Sequence, residues 1–226
     1  MLYSKEQNFV FIKTAKTAGT LLEAKLQKYC LPCGSPFIDA HAIPCTQSAS
    51  GVVGYRGAKL PRFSKKPQFY NHMPAYLIRK RLGEEIFDQS HKIISIRNPY
   101  FRAISAFHHF CRIPYDATPQ FNKDLFLNFT KNFSNQYNLF FFKDKLIVDT
   151  FIKQENLIQD MKTLSIRLGI DENDICKDLP NLKVSNSKFF DIKISSYFSS
   201  DSHLKKFNEK HWFWFTLGGY EAQWRL

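Results

Sequence analysis

The sequence lacks any long apolar run. Its longest purely apolar stretches are a few residues, such as Leu139 to Phe142. A bilayer-spanning helix needs roughly 20, so no transmembrane segment is expected. The first residues, MLYSKEQNFVFIK, lack the layout of a signal peptide. Acidic residues are scarce: 20 against 32 Lys and Arg, for a formal charge of +12. That deficit points to anionic partners without saying which. Cysteine is sparse and odd in number, at 5. Disulfide staples are not needed in a chain of 226 residues, so reduced thiols and a cytoplasmic setting are expected. No repeat, low-complexity tract or long linker divides the chain.

What is present is apolar and aromatic. With 44% hydrophobic and 16% aromatic residues, the chain can build a core, and disorder is excluded. Apolar clusters run from Phe9 to Tyr220, which favours one domain over 1–226. Phe9 to Ile12 reads as a buried strand. The polar Lys13 to Gly19 follows, then Leu22, Leu26 and Tyr29 at helical spacing. Residues 30–70 carry many prolines and read as an irregular, loop-rich insert. A helix from Pro74 to Leu82, ended by Gly83, and a short piece over Glu84 to Phe87 come next.

His91 to Ile96 reads as a second buried strand. Asn98 is a good N-cap and Pro99 a good first residue for a helix reaching about Cys111. A Phe-rich helix is predicted over 121–133, and a third strand over Leu146 to Ile152. Leu157 to Leu168 is helical, with Gly169 at the C-terminal cap position. A last helix spans Asp201 to Phe215. Strands alternating with helices argue for an α/β fold with a parallel sheet, whose ligands bind beyond the carboxyl ends of the strands.

Two segments leave strands at that edge with unusual polar content. Lys13-Thr-Ala-Lys16-Thr17-Ala18-Gly19-Thr20 precedes a helix. Amides at a helix N-terminus favour an anion such as phosphate, Gly19 permits close approach, and Lys16 adds charge. It is not a Walker A sequence. Arg97-Asn-Pro-Tyr-Phe-Arg102-Ala-Ile-Ser105 offers a guanidinium and a hydroxyl, enough for a second phosphate site. An ordinary polar turn and a helix-capping arginine are the plain alternatives.

FVFIKTAKTAGT and IISIRNPYFRAISAF resemble the two phosphate motifs of PAPS-dependent sulfotransferases, especially the carbohydrate-type branch, with its heparan sulfate- and chondroitin-like members. Those motifs are written F-x-H-I-P-K-T-A/G-G-T and R-N-P-x-x-R-x-x-S. The stretch Glu155-Asn-Leu-Ile-Gln-Asp160 and the closing Leu217-Gly-Gly-Tyr220 are similar to later segments of that family. Lys13 and Ala15 stand where the family has His and Pro. The resemblance implies a single-domain, P-loop-like, three-layer fold with a central parallel sheet flanked by helices. It implies transfer of a sulfuryl group from PAPS to an acceptor hydroxyl, the acceptor being a glycan or a small hydroxyl compound. Lys16 would neutralise the bridging oxygen. Thr17, Ala18, Gly19 and Thr20 would hold the 5′-phosphate, and Arg97 and Ser105 the 3′-phosphate. Lys188, with Lys183, would lie in a late loop over the nucleotide.

The transfer needs a base, and a histidine suits it. His72 in Tyr70-Asn-His72-Met-Pro-Ala75 is the leading candidate, with His41 as a rival. His108 and His109 are expected to pack or face solvent. Cys30, Cys33, His41 and Cys45 have a spacing that zinc accepts, though free thiols explain them as well. Arg56, Lys59, Arg62, Lys65 and Lys66 would suit an anionic glycan, or simply form a solvated face. Two other readings stay open: a P-loop-like nucleotide kinase, for which a Walker lysine and a metal-binding acid are not evident, and a basic nucleic-acid-binding protein with a small zinc element, for which no recognition motif is present.

Overall fold

The computed structural model describes residues 1–36, 44–57, 67–111, 123–176 and 193–226. Lys183, Lys188, His41, Lys59, Arg62, Lys65 and Lys66 lie outside the described residues. The fold is mixed α/β, with a multi-stranded sheet flanked by helices. The described residues fall into two compact units. The first takes those within Met1–Thr14, Ala18–Ser95 and Gln136–Leu182; the second takes those within Ala15–Thr17, Ile96–Asn135 and Lys183–Leu226.

The first unit carries the sheet. In chain order its elements are β1 (Leu2–Ser4), β2 (Phe9–Ile12), α1 (Gly19–Leu26), β3 (Thr46–Ser48) and β4 (Gly51–Val53). Then come α2 (Ala75–Leu82), α3 (Glu84–Gln89) and β5 (His91–Ile96), which feeds the second unit's α4 (Pro99–Cys111) and α5 (Lys123–Asn132). The chain continues through α6 (Tyr137–Phe140), β6 (Phe141–Phe142), β7 (Lys145–Leu146), β8 (Thr150–Lys153), α7 (Leu157–Leu168) and α8 (Glu172–Cys176). The second unit closes with α9 (Asp201–Lys210) and α10 (Trp212–Gly218).

The main sheet has the order β3-β4-β1-β2-β5-β8. β2 and β5 are parallel, with Phe9 opposite His91 and Ile12 opposite Ile94. The expected parallel sheet is therefore correct at its centre, but β1 runs antiparallel to both β2 and β4, and β3 antiparallel to β4. For the β1–β2 and β3–β4 pairs the reason is connection length. Only Lys5 to Asn8 separates β1 from β2, and only Ala49 and Ser50 separate β3 from β4. A parallel crossover needs roughly a dozen residues, so such short links can only turn back. The loop-rich reading of 30–70 missed β3 and β4, which are three residues each and too short to show a period.

The strand expected over Leu146 to Ile152 divides in two. Lys143 and Asp144, with φ of 49° and 58°, make a tight left-handed turn that folds Lys145–Leu146 back onto β6. Thr150–Lys153 joins the main sheet. The last helix likewise breaks, at His211. The sequence pattern does not single out β1, α6, β6 or α8, which are two to five residues long; β2, α1, α2, α3, β5, α4, α5 and α7 agree with it. Gly169 takes φ 65° and closes α7 by donating its N–H to Ile166, as a left-handed cap does.

Each unit has its own core. In the first, Phe9, Phe11 and Ile93 of the sheet meet Leu21, Leu22 and Leu26 of α1 and Met161 and Leu164 of α7. Each such side chain contributes about 1.5–3 kcal/mol by leaving water. In the second, aromatics dominate: Tyr100, Phe107, Phe126, Phe198, Phe207 and Phe215 form one cluster. Tyr100 meets Phe198 edge-on with centroids 5.7 Å apart, a geometry that suits ring quadrupoles.

Candidate functional site

The segment after β2 begins with anchored residues. The Lys13 side chain is buried and ion-paired with Glu23 of α1, which is 0% exposed. Arg56 completes the cluster, 3.8 Å from Glu23 and bonded at 2.6 Å to Gln27. Burial, opposed by Glu23, lowers the Lys13 pKa. Its ammonium is thus committed to the fold and not to a ligand. Arg56 is buried too, so it leaves the candidate glycan-binding face proposed from the sequence. The Thr14 hydroxyl donates to the Ser95 carbonyl on β5 and lies 3.1 Å from the Ser95 hydroxyl. Neither Glu23 nor Arg56 stood out in the sequence as a core residue, because a lone helix glutamate and an arginine in a basic stretch look like surface residues.

Lys16 and Ala18 then adopt left-handed backbone, at φ 65° and 60°, with Thr17 between them at negative φ. Left-handed residues other than glycine are uncommon and cost about 1–2 kcal/mol each. Such alternation gathers successive backbone N–H groups around a concavity suited to an anion. Ala18 caps α1, its carbonyl accepting from Leu21 at 2.9 Å and Leu22 at 3.3 Å. The first-turn amides of Gly19 and Thr20 have no intrahelical carbonyl to bond. Gly19 is required by crowding: a Cβ there would lie 2.9 Å from Lys13 Cγ and 3.3 Å from the Thr14 carbonyl oxygen. Thr17 is buried and Thr20 exposed.

Ala15, Lys16 and Thr17 group with the second unit, as do Arg97, Arg102 and Ser105. Lys16 is half-buried and has no carboxylate within salt-bridge distance among the described residues. Its pKa is lowered by burial and then by the positive charge of Arg97. Among the described residues, Lys16 thus feels a second cation and no acid. Arg97 and Ser105 are both buried, at the end of β5 and on α4.

Arg102 is the residue sequence reasoning undervalued. Arg102 is 1% exposed, and its guanidinium lies 4.2 Å from the Trp214 ring and 4.4 Å from the Phe133 ring. It donates from Nε to the Ala15 carbonyl at 3.2 Å and from Nη2 to the Ser134 carbonyl at 3.0 Å. Burial brings its pKa down to about 9, so it stays charged at neutral pH. It holds the segment that presents Lys16. The signal was the second arginine of the Arg97-Asn-Pro-Tyr-Phe-Arg102 motif.

His72 belongs to the first unit and also has left-handed backbone, at φ 54°. Its Nδ1 is 3.0 Å from the Lys13 carbonyl. Burial, then the Lys13 charge, lowers its pKa to about 4. The neutral ring must donate from Nδ1 to that carbonyl, which leaves Nε2 as its acceptor. His108 is buried, with Nε2 2.7 Å from the Tyr197 hydroxyl, as a packing role requires. His109 is exposed, and its pKa is lowered chiefly by the Lys16 charge.

Among the described residues no group of three His, Cys, Asp or Glu side chains is placed to hold a metal. Cys30 is buried with its thiol directed at the Leu26 carbonyl, and Cys33 is exposed. Nor is any helix among them long and apolar enough to cross a membrane. Comparison with family models, with curated proteins and with solved structures finds no match.

Proposed function

We propose that this protein transfers a sulfuryl group from PAPS to an acceptor hydroxyl, with a glycan as the acceptor class, and releases PAP. The observation that carries the reading is the Lys16–Thr20 segment. Two strained left-handed residues lead into a helix N-terminus. They carry a lysine that has no acidic partner among the described residues and feels the charge of Arg97. Strain held in a short polar segment is a mark of function. The resemblance of both motifs to the sulfotransferase pattern, and with it a P-loop-like three-layer arrangement, supplies the chemistry.

In that reading the acceptor oxygen bonds to sulfur as the bond from sulfur to the bridging phosphate oxygen breaks. The electron pair of that bond stays on the bridging oxygen. The Lys16 ammonium stabilises the charge developing there, and the amides of Ala18 to Thr20 hold the 5′-phosphate. Arg97 and Ser105 hold the 3′-phosphate, the group that distinguishes PAP from AMP. Nε2 of His72 takes the acceptor proton. A ligand that binds only the native state raises its melting temperature by mass action. The test is a thermal-shift comparison of PAP, AMP and ATP. PAP is expected to stabilise the protein well beyond AMP; equal shifts with the two overturn the 3′-phosphate site, and a larger shift with ATP favours a kinase.

A further inference from the structure

α5 and α9 lie side by side in the second unit, and a cleft of about 270 Å³ opens between them. Leu127 and Phe207 give it apolar lining. Lys131 enters from the α5 side and Lys206 from the α9 side. Among the described residues no carboxylate lines it; the acids of α9, Asp201 and Glu209, are both absent from its walls. Neither lysine makes a salt bridge among the described residues.

The other polar groups of the cleft are already committed. Lys210 donates to the Thr130 and Lys131 carbonyls, at 3.2 and 2.8 Å, and so caps the end of α5. His203 is buried, with Nε2 2.8 Å from the Thr130 hydroxyl. Its pKa is lowered to about 4, by burial and then by Lys131, so the ring is neutral at physiological pH. The Ser200 hydroxyl accepts the His203 N–H at 3.2 Å. This leaves Lys131, Lys206 and Ser202 as the lining residues whose polar groups are not so committed. Like charges lining opposite walls repel unless an anion lies between them. The volume is just below the range of roughly 300–1,000 Å³ for drug-sized ligands, which suits a single sugar ring and not a longer chain.

We propose that this cleft binds a sugar ring carrying a sulfate or phosphate ester, with Lys131, Lys206 and Ser202 on the oxyanion and Leu127 and Phe207 against the ring. None of Lys16 to Thr20, Arg97 or Ser105 lines it, so it is a second anion site, independent of the donor reading.

The experiment is calorimetric titration of the full chain with glucosamine 6-sulfate, glucose 6-phosphate and unsubstituted glucose. At least one ester sugar is expected to bind roughly tenfold or more tightly than glucose, since hydrogen bonds to charged groups are stronger than those between neutral ones. Whichever ester binds more tightly identifies the source of the oxyanion. The double variant Lys131→Gln, Lys206→Gln is expected to lose that margin while keeping its thermal shift with PAP. Both side chains are exposed, so the fold is expected to survive. Should its melting temperature fall nonetheless, Lys206→Gln alone is read, with a loss of roughly threefold or more expected. Ester sugars that bind no better than glucose overturn the proposal, as does unchanged ester binding in the variants. Loss of the PAP response in the parent protein counts against the donor reading alone.

Discussion

At the scale of single residues, the candidate site is built on cations that have different jobs. Lys13 and Arg56 neutralise the buried Glu23, and Arg102 is held by carbonyls and aromatic rings. Lys16 and Arg97 are the pair whose charges act on one another. Arg97→Ala is expected to weaken PAP binding by roughly 2–5 kcal/mol, the usual cost of truncating one partner of a buried charge pair. Calorimetry checks it, and unchanged PAP affinity removes Arg97 from the proposed role. His72→Ala is expected to leave PAP affinity nearly intact and to lower turnover by roughly 10²–10⁴-fold, the range for a general base. If affinity and turnover fall together, His72 is structural through its bond to the Lys13 carbonyl; if turnover holds, another group takes the proton.

At the scale of elements, α4 is the helix that carries Arg102 and Ser105. Its start is set by Asn98, whose side-chain oxygen accepts the Tyr100 N–H at 3.0 Å, with Pro99 as its first residue. Asn98→Ala is expected to cost about 1 kcal/mol of stability through the lost cap. Denaturant unfolding should show this as a lower midpoint at unchanged slope. The start of α1 is different. Ala18 caps it with backbone alone, and Gly19 is there because Lys13 and Thr14 crowd its Cα. Much of this was legible in the sequence, since Asn-Pro and Gly-Thr are local signals read by local rules. The short β1, β3, β4, α6 and α8, the hairpin at Lys143 and the break at His211 were not, because segments of two to five residues and a break at one residue have no period to read.

At the scale of the whole molecule, three histidines are held far below their ordinary value. Burial, with nearby cations, brings His72 and His203 to about 4 and His211 to about 2. Each binds a proton in the unfolded chain near pH 6.5 but not in the fold until lower pH. The unfolded state therefore takes up more protons in between, and stability rises with pH across that window. Acidification from pH 7 towards 4 is expected to lower the melting temperature steadily. The depressed carboxylates Asp88 and Asp174 add their own losses only as pH falls through and below their ordinary 3.8. His72→Gln should flatten the curve between pH 6.5 and 4; an identical slope in that variant shows that His72 does not titrate as its burial requires.

The amino-acid sequence alone determined the parallel strands β2 and β5, the helices that follow them and the two polar segments between, because apolar periodicity, caps and glycines are local properties. It also brought forward Lys16, Arg97 and Ser105, since charge and hydroxyl at strand ends are visible in one dimension. Tertiary structure alone decided which cations serve the fold. Lys13 and Lys16 lie three residues apart and look alike in sequence. One is paired with Glu23, and the other has no acidic partner among the described residues. His72 and His108 divide in the same way: the first keeps an acceptor nitrogen, and the second gives its Nε2 to the Tyr197 hydroxyl. Burial and partners come from residues distant along the chain, and in a low-dielectric interior those partners settle whether a charge supports the fold or awaits a ligand.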